Sequence, residues 1–308
     1  MKKKDIVSIL DLTKEEILTI FKMTEKLKKN PFEETLKGRT LGMIFNKPST
    51  RTRVSFEVAM TQLGGHAIYM NSADLQLRRG ETIPDTGRTL SRYLDIIMIR
   101  TFDHNDVVEL ASSTTIPVIN GLTDLLHPCQ VLSDIFTIIE KKNTCLPDRQ
   151  EKVDDFNFQD LTIVFVGDGN NVCNSFINAQ KILKFNLIVS TPEKYKPELL
   201  ESNKDVKWVE DPFKAVEDAD IIYTDTWTSM GKEEERDERL KVFKKYQVNK
   251  KLLENVKKKH FVMHCLPAKR GEEITDDVID GESSIVFDQA ENRLHVQKAI
   301  IKFLLGYE

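Results

Sequence analysis

The sequence contains few cysteines and no long apolar segment. Among its 308 residues there are four cysteines, and no two of them form a CxxC pair. This spacing argues against a disulfide framework and against a structural zinc site, and it favours reduced thiols in a cytoplasmic setting. The apolar run from Ile6 to Leu10 is too short for a signal-peptide core, and no segment is long enough to span a bilayer.

The sequence also lacks a large excess of positive or negative residues. The 45 lysines and arginines nearly balance the 49 aspartates and glutamates, which leaves a formal net charge of -4. This balance predicts neither a nucleic-acid partner nor a membrane partner, so any basic site must be local. The length is sufficient for two domains, each with a core of its own.

Strand patterns alternate with helical patterns along the chain, which predicts an α/β fold with parallel sheets. In such folds ligands collect at the carboxyl ends of the strands. The polar segment 141–160 is the predicted boundary between two similar halves. The charged run 232–239 is predicted to be a solvated loop, and the final helix is predicted to start at Asp288. We predict strands at 40–45, 66–70, 95–100, 116–121, 161–166, 186–190, 219–225, 261–267 and 284–287.

The segment from Ser49 to Arg53 lies between a predicted strand and the apolar stripe of a predicted helix. Free backbone N–H groups and the positive end of the helix dipole favour an anion at such a position. Capping by Ser49 or Thr50 would by itself explain the hydroxyl groups. It would not explain Arg51 and Arg53, because cations are unfavourable at a helix N-terminus unless an anion is bound there. The segment therefore favours a phosphate-binding loop.

Other polar residues follow predicted strands and divide into two chemical kinds. Arg100, His127 and Gln130 in the first half are donors suited to a phosphate and a polarised carbonyl group. The second half offers groups suited to an amine and an amino-acid head group, namely Asn171, Asp225, Ser229 and Cys265. Taken singly, His127 could be a core histidine, Cys265 a buried thiol and Asp225 a turn residue.

The glycines Gly167 and Gly169 invite comparison with a dinucleotide-binding loop. The third glycine of the G-x-G-x-x-G pattern would be residue 172, which is Val172. The acidic residue expected about twenty positions later is also missing. We therefore predict no nicotinamide cofactor, and we expect these glycines to allow a tight turn.

Several segments resemble motifs of the aspartate and ornithine carbamoyltransferase family, in the same order and over nearly the whole chain. Ser49 to Arg53 with Val54-Ser55-Phe56-Glu57 resembles the carbamoyl-phosphate signature of that family. Aspartate-specific members have a proline at the position of Cys265 and a lysine in the loop around 78–81, and both are missing here. Further matching motifs are His127-Pro128-Cys129-Gln130, Gly167-Asp168-Gly169-Asn170-Asn171, Ser229-Met230-Gly231, His264-Cys265-Leu266-Pro267 and Glu291-Asn292-Arg293.

The resemblance implies a role for each matching residue. Four residues would bind the phosphate: Ser49, Thr50, Arg51 and Thr52. The carbamoyl group would contact Arg100, His127, Gln130 and Arg293, and Gln76 would reach the carbamoyl phosphate of a neighbouring subunit. Cys265 and Leu266 would face the reacting amine and the carbamoyl group. The head group of the acceptor would be held by Asn171, Asp225, Ser229 and Met230. The implied catalytic residues are Arg100, His127, Asp225 and Cys265.

The resemblance also implies the architecture and the reaction. We expect two Rossmann-like domains linked by helices: a carbamoyl-phosphate-binding domain at 1–145, to which the C-terminal helix 291–308 returns, and an ornithine-binding domain at 146–290. The expected assembly is a homotrimer or a multiple of it. The expected activity is carbamoyl transfer from carbamoyl phosphate to the side-chain amine of L-ornithine, giving L-citrulline and phosphate without a metal or cofactor. Putrescine is the alternative acceptor, and the sequence does not separate an anabolic from a catabolic role.

Overall fold

In the computed structural model of the protein, the described residues are 4–76, 80–144, 153–228 and 233–307. They divide into two compact units. The first contains the described residues up to Ile139, Val153 and Asp154, and the residues from Glu291 onward. The second contains the other described residues between Glu140 and Ala290. None of the described helices is both long and apolar enough to cross a membrane.

The first unit contains a parallel four-stranded sheet with the order β2-β1-β3-β4. Three of its strands are almost completely buried, as expected for strands that helices cover on both faces, whereas β2 is a partly exposed edge strand. The strands are β1 (Thr40–Phe45), β2 (His66–Asn71), β3 (Ile96–Arg100) and β4 (Val118–Leu122). The helices are α1 (Lys14–Lys29), α2 (Thr50–Gln62), α3 (Ile83–Leu90), α4 (His104–Ser113) and α5 (Pro128–Thr144), whose residues from Glu140 group with the second unit.

The second unit contains a parallel five-stranded sheet with the order β7-β6-β5-β8-β9. Its strands are β5 (Thr162–Val166), β6 (Asn186–Ser190), β7 (Lys207–Trp208), β8 (Ile221–Thr224) and β9 (Phe261–His264). Its helices are α6 (Asn171–Leu183), α7 (Pro212–Ala215), α8 (Arg236–Phe243), α9 (Lys250–Leu253) and α10 (Asp276–Ile279). The last helix, α11 (Val286–Leu304), begins in this unit, and its residues from Glu291 group with the first unit.

The predicted fold class is confirmed, since both sheets are parallel and helices connect their strands. The predicted strand 40–45 coincides with β1. The strand predicted at 284–287 is wrong, because Ser284 forms only an isolated bridge to Val262 and α11 already starts at Val286. A short apolar run does not distinguish a strand from the start of a buried helix. The segment 141–160 is also not a linker throughout, because α5 continues to Thr144.

The strand order reverses once in each sheet, between β1 and β3 and between β5 and β8. At such a switch point the crossovers leave in opposite directions, and a crevice opens at the carboxyl ends of the two strands. The first switch point pairs Phe45 with Arg100. The second pairs Val166 with Thr224, the residue before Asp225. Each unit therefore presents polar residues at the edge where its fold can accept a ligand.

Helix α11 is held in the first unit by a fully buried lysine. Lys298 is 0% exposed, and its Nζ donates to Leu27 O at 3.2 Å, Pro31 O at 3.2 Å and Gln62 Oε1 at 2.8 Å. Leu27 lies in the last turn of α1, where backbone carbonyls lack partners within the helix. Burial lowers the pKa of Lys298 to about 8, and the carboxylate of Glu33 opposes this shift. The contact joins α11 to α1 and α2.

We predict that Lys298→Met lowers the free energy of unfolding near pH 7 by roughly 2–4 kcal/mol, because it leaves buried acceptors without a donor. Urea denaturation would measure the change. Lys302→Met is the matched control on the next turn of α11. Lys302 pairs with Glu33 at 2.5 Å, and side-chain exposures of 12% and 31% predict a loss of about 1 kcal/mol or less. Equal losses for the two variants would contradict the conclusion that the buried contacts of Lys298 hold α11 in the first unit.

Candidate active site

Helix α2 begins directly at the predicted phosphate loop. Ser49 is its N-cap, with extended backbone, and its Oγ accepts from the Thr52 N–H at 3.3 Å. Thr50 and Arg51 are the first residues of the helix and are exposed. The predicted cap is therefore present, and the remaining free N–H groups of this first turn are compatible with a bound anion.

The Thr52 hydroxyl is the centre of a buried polar cluster. Its Oγ1 accepts from Ser49 Oγ at 3.1 Å, from Arg100 Nη1 at 3.5 Å and from Arg293 Nη2 at 3.3 Å. Arg293 also donates to the Gln130 side chain, and Gln130 donates to Asp134 at 2.7 Å. The fold therefore brings together predicted residues that are up to 241 positions apart in the chain.

His127 is buried beside these cations, at the residue before α5. It is 4% exposed. Burial lowers the pKa of His127 well below its usual 6.5, and the positive charges of Arg293, Arg100 and Lys47 lower it further. His127 is therefore neutral near pH 7. A neutral imidazole can donate a hydrogen bond to a carbonyl oxygen without adding another positive charge to the cluster.

Lys47 belongs to the same electrostatic environment, although the sequence reasoning missed it. It is 4% exposed. Its Nζ pairs with Asp124 at 2.8 Å and lies 4.8 Å from the centroid of the Phe102 ring. The position of Lys47, two residues before Ser49, could have suggested a role in the site. The sequence alone gives no indication that its side chain is buried. Lys47 adds positive potential near His127.

Arg53 and Gln76 have different surroundings. Arg53 pairs with Glu57 at 2.9 Å and stacks on Tyr69 at 3.9 Å, so its side chain braces α2 against β2. Gln76 is exposed, and its carbonyl accepts from the Glu81 N–H. Its predicted role toward a neighbouring subunit concerns a partner chain and stays a prediction.

The carboxylate of Asp225 lies at the carboxyl end of β8. It is 8% exposed. Asn170 Nδ2 donates to Oδ2 at 2.6 Å, and the Thr226 N–H donates to Oδ1 at 2.8 Å. Asn170 is the N-cap of α6 and was missed in favour of its neighbour Asn171, which is the first residue of that helix. Two polar asparagines in succession do not reveal which of them faces the carboxylate.

Cys265 lies next to Asp225. Ligand-capable atoms of Asp225, His264 and Cys265 are all within 4.8 Å of one another. His264 is poorly suited to bind a metal here, because its Nδ1 accepts from the Leu266 N–H and its Nε2 lies 2.9 Å from Glu273 Oε1. Among the described residues of this edge, the arrangement leaves a carboxylate and a partly exposed thiol as candidate reactive groups.

Leu266 follows in the left-handed region, with φ of 57°. This conformation is costly for a residue with a branched side chain. The hydrogen bond from its N–H to His264 helps to maintain it, and the buried Glu273 fixes the His264 ring from the other side. The turn after β9 is therefore held in one shape.

The prediction that 232–239 is a solvated loop is wrong for its C-terminal part. Helix α8 starts at Arg236, and Arg239 is 3% exposed. Arg239 pairs with Asp168 at 3.1 Å and donates to Trp227 O at 2.9 Å. It thus joins the turn after β5 to the segment after β8. A charged run suggests a wet surface, and only packing shows which member is buried.

The remaining predicted acceptor residues are Ser229 and Met230, which lie outside the described residues.

The sequence matches both domains of one enzyme family. Residues 4–140 match the carbamoyl-P binding domain of aspartate/ornithine carbamoyltransferase, and residues 159–304 match its Asp/Orn binding domain. The chain therefore belongs to the aspartate/ornithine carbamoyltransferase family, as the motifs predicted. It is a carbamoyltransferase-type enzyme that acts on small molecules.

Full-length relatives agree with this assignment. The chain is 51% identical to the ornithine carbamoyltransferase of Pyrococcus horikoshii, over 99% of this chain and 97% of that protein. It is also 51% identical to the anabolic ornithine carbamoyltransferase of Pyrococcus furiosus, over 98% and 96% of the two chains. A solved structure of ornithine carbamoyltransferase from Pyrococcus furiosus covers 99% of this chain and 97% of its own, with 50% identity and a TM-score of 0.89.

We predict that His127→Gln makes the protein less sensitive to acid. In the unfolded chain His127 has its ordinary pKa of about 6.5, so on acidification the unfolded state takes up this proton first and stability falls. Between pH 7.5 and 5.5 the wild type should lose about 1.4 kcal/mol more than the variant. Urea denaturation at both pH values would measure the difference. His66→Gln on the exposed edge strand is the control, and a His127 variant with the wild-type pH dependence would refute the prediction.

Proposed function

We propose that the protein is an ornithine carbamoyltransferase, which transfers the carbamoyl group of carbamoyl phosphate to the side-chain amine of L-ornithine and releases L-citrulline and phosphate. This reaction belongs to arginine metabolism. The observation that carries the proposal is the approach of the Asp225 carboxylate and the Cys265 thiol, within 4.8 Å, at the ends of β8 and β9. The family assignment and the relatives support the choice of substrates.

Carbamoyl phosphate is assigned to the first unit. Its phosphate would accept hydrogen bonds from the free N–H groups of the first turn of α2 and from Ser49, Thr50, Arg51 and Thr52. The N-terminal end of the helix dipole adds attraction for the same charge. Arg100 and Arg293, which already donate to Thr52, would contact the carbamoyl group together with Gln130, which accepts from Arg293.

Departure of phosphate is the first chemical requirement. Negative charge grows on the bridging oxygen as the carbamoyl carbon is attacked, and charge-assisted hydrogen bonds of roughly 1.5–3 kcal/mol each stabilise it. Arg51 and Arg100 would supply these bonds. The neutral imidazole of His127 would polarise the carbamoyl carbonyl by donating a hydrogen bond. The positive groups are in place before the reaction, so little reorganisation is needed.

The acceptor amine presents the second requirement. An ammonium group with a pKa of about 10.4 is neutral in about one molecule in 2500 near pH 7, which corresponds to about 4.6 kcal/mol. Asp225 or Cys265 would accept or relay its proton. Leu266 would contact the substrate beside Cys265, in the turn that His264 holds. The amine lone pair then attacks the carbamoyl carbon, the C–O bond to phosphate breaks, and the second proton of the attacking nitrogen passes to the departing phosphate.

The α-amino and carboxylate groups of ornithine are assigned to the second unit. By family resemblance they would contact Asn171, Asp225, Ser229 and Met230. The corresponding domain proposal gives 1–145 with 291–308 to carbamoyl phosphate and 146–290 to ornithine. The matches to a carbamoyl-P binding domain and an Asp/Orn binding domain support it.

A sister enzyme that uses putrescine is the alternative function. Putrescine has no α-carboxylate, so the Ser229-Met230-Gly231 motif would have no partner. Purified protein with carbamoyl phosphate should form ureido product with L-ornithine, and at least about 100-fold less with putrescine or L-aspartate at equal concentration. A colorimetric ureido assay would measure this. A preference for putrescine would support the alternative function. The absence of product with L-ornithine would refute the proposal.

The proposed assembly is a homotrimer, or a multiple of it, in which Gln76 contributes to the active site of a neighbouring subunit. The edge strand β2 supports an interface on this side of the first unit. Ile68 is 40% exposed on β2, and Val54 on the adjoining α2 is 51% exposed. Exposed apolar groups beside an open sheet edge are typical of surfaces that a second chain covers.

A mixing experiment tests the shared site. Arg51→Ala and Gln76→Ala should each lose most activity as pure proteins. When equal amounts are unfolded and refolded together, a site with both native residues should form at about one quarter of the positions in randomly mixed trimers. Recovered activity near that fraction supports sharing between subunits. Activity that never exceeds the mean of the two variants would contradict it.

A cytoplasmic location completes the proposal. It is supported by the free thiols of Cys129 and Cys173, since such thiols persist in reducing compartments. Cell fractionation with an antibody would reveal any other location.

A further inference from the structure

One glutamine side chain joins the two strands that carry the reactive groups of the second unit. Gln289 lies in the first turn of α11 and is 1% exposed. Its Oε1 accepts from the backbone N–H of His264 at 3.0 Å. Its Nε2 donates to the Tyr223 hydroxyl at 3.1 Å. A single amide therefore contacts both β8 and β9, on which Tyr223 and His264 lie.

These two contacts are close to the reactive residues in the chain. His264 immediately precedes Cys265, and Tyr223 lies two residues before Asp225. The ladder between β8 and β9 ends at the pair Thr224 and His264. Beyond that pair, the separation of the carboxylate and the thiol depends on how the last residues of each strand are held. Gln289 acts at this point.

The surroundings of Tyr223 keep the bridge rigid. Its ring is fully buried, stacks on Phe165 with a centroid distance of 5.4 Å, and meets Phe176 edge-on at 5.0 Å. An aromatic ring packed on two sides has little freedom to follow a displaced partner. Movement of the amide would therefore be transmitted mainly to the His264 backbone and hence to Cys265.

We propose that Gln289 is a positioning residue, which sets the distance between the Asp225 carboxylate and the Cys265 thiol by joining the ends of β8 and β9. The consequence for catalysis rests on the proposed ornithine carbamoyltransferase activity. Gln289 touches no reacting atom. It acts through the Tyr223 hydroxyl and the His264 N–H, and small displacements of reactive groups cost roughly 10- to 100-fold in rate.

The test compares Gln289→Met with Gln180→Met. Methionine is similar in length to glutamine, but it is apolar and can make neither hydrogen bond. Gln180 is the matched control, since it is 4% exposed and its amide bridges Phe185 O at 3.1 Å and Asn203 Nδ2 at 2.6 Å. It touches neither β8 nor β9 in these contacts. Gln289→Glu keeps the acceptor for His264 and can accept from the Tyr223 hydroxyl.

Two readouts are measured for each full-length variant: kcat with ornithine, and the rate at which iodoacetamide alkylates Cys265, followed by mass spectrometry of its peptide. For Gln289→Met we expect kcat to fall at least about tenfold and alkylation to change at least about threefold. The KM for carbamoyl phosphate should stay within about twofold. Gln289→Glu should remain within about threefold of wild type in both readouts.

Several results would overturn the proposal. These are wild-type kcat and alkylation in Gln289→Met, a loss of kcat without a change in alkylation, an equal change in Gln180→Met, or a Glu variant as impaired as the Met variant. If Gln289→Met does not fold, Tyr223→Phe removes one of the two hydrogen bonds and is judged by the same criteria. If the wild type fails to carbamoylate ornithine, the proposed function fails, and the alkylation comparison still decides the role of Gln289.

Discussion

The parallel pairing of the strands is the constraint on which the site residues depend. Because every strand in a sheet runs in the same direction, all segments that leave the strands emerge at one edge. At the β1–β3 switch point this places the start of α2 beside Arg100, and at the β5–β8 switch point it places Asn170 beside Asp225. The same constraint acts twice, with cationic and hydroxyl groups in the first unit and carboxylate and thiol groups in the second.

Buried charges determine the electrostatic potential at the carboxyl ends of the strands in the first unit. Arg100, Arg293 and Lys47 are each at most 6% exposed, and buried cations are costly unless acceptors and opposite charges surround them. Thr52, Gln130 and Asp124 supply part of this compensation. Burial, and to a smaller extent the same cations, hold His127 in its neutral form by lowering its pKa. A site with this potential favours an anionic ligand, and in the proposed reaction the neutral imidazole would donate to the carbonyl group of carbamoyl phosphate.

Helix α11 contributes to both units through a buried polar face. Gln289 contacts Tyr223 and His264 in the second unit, whereas Arg293 and Lys298 bond to residues of the first. Such a face is expensive to bury unless every polar group has a partner. The helix periodicity alone predicts an amphipathic element and does not reveal this face. The polar residues of α11 are therefore used for positioning as well as for packing.

The sequence by itself determined the α/β class, the start of helix α2 at Ser49, and most strands, because apolar periodicity and helix-start signals are local. Family motifs added Gln76, Leu266 and Arg293 to the candidate site. Only the tertiary structure decided that Lys47 and Arg239 turn inward, that Asn170 contacts Asp225, and that Gln289 joins β8 to β9. These contacts join residues distant in the chain. Local patterns carry no information about which polar side chain finds a partner when the elements pack.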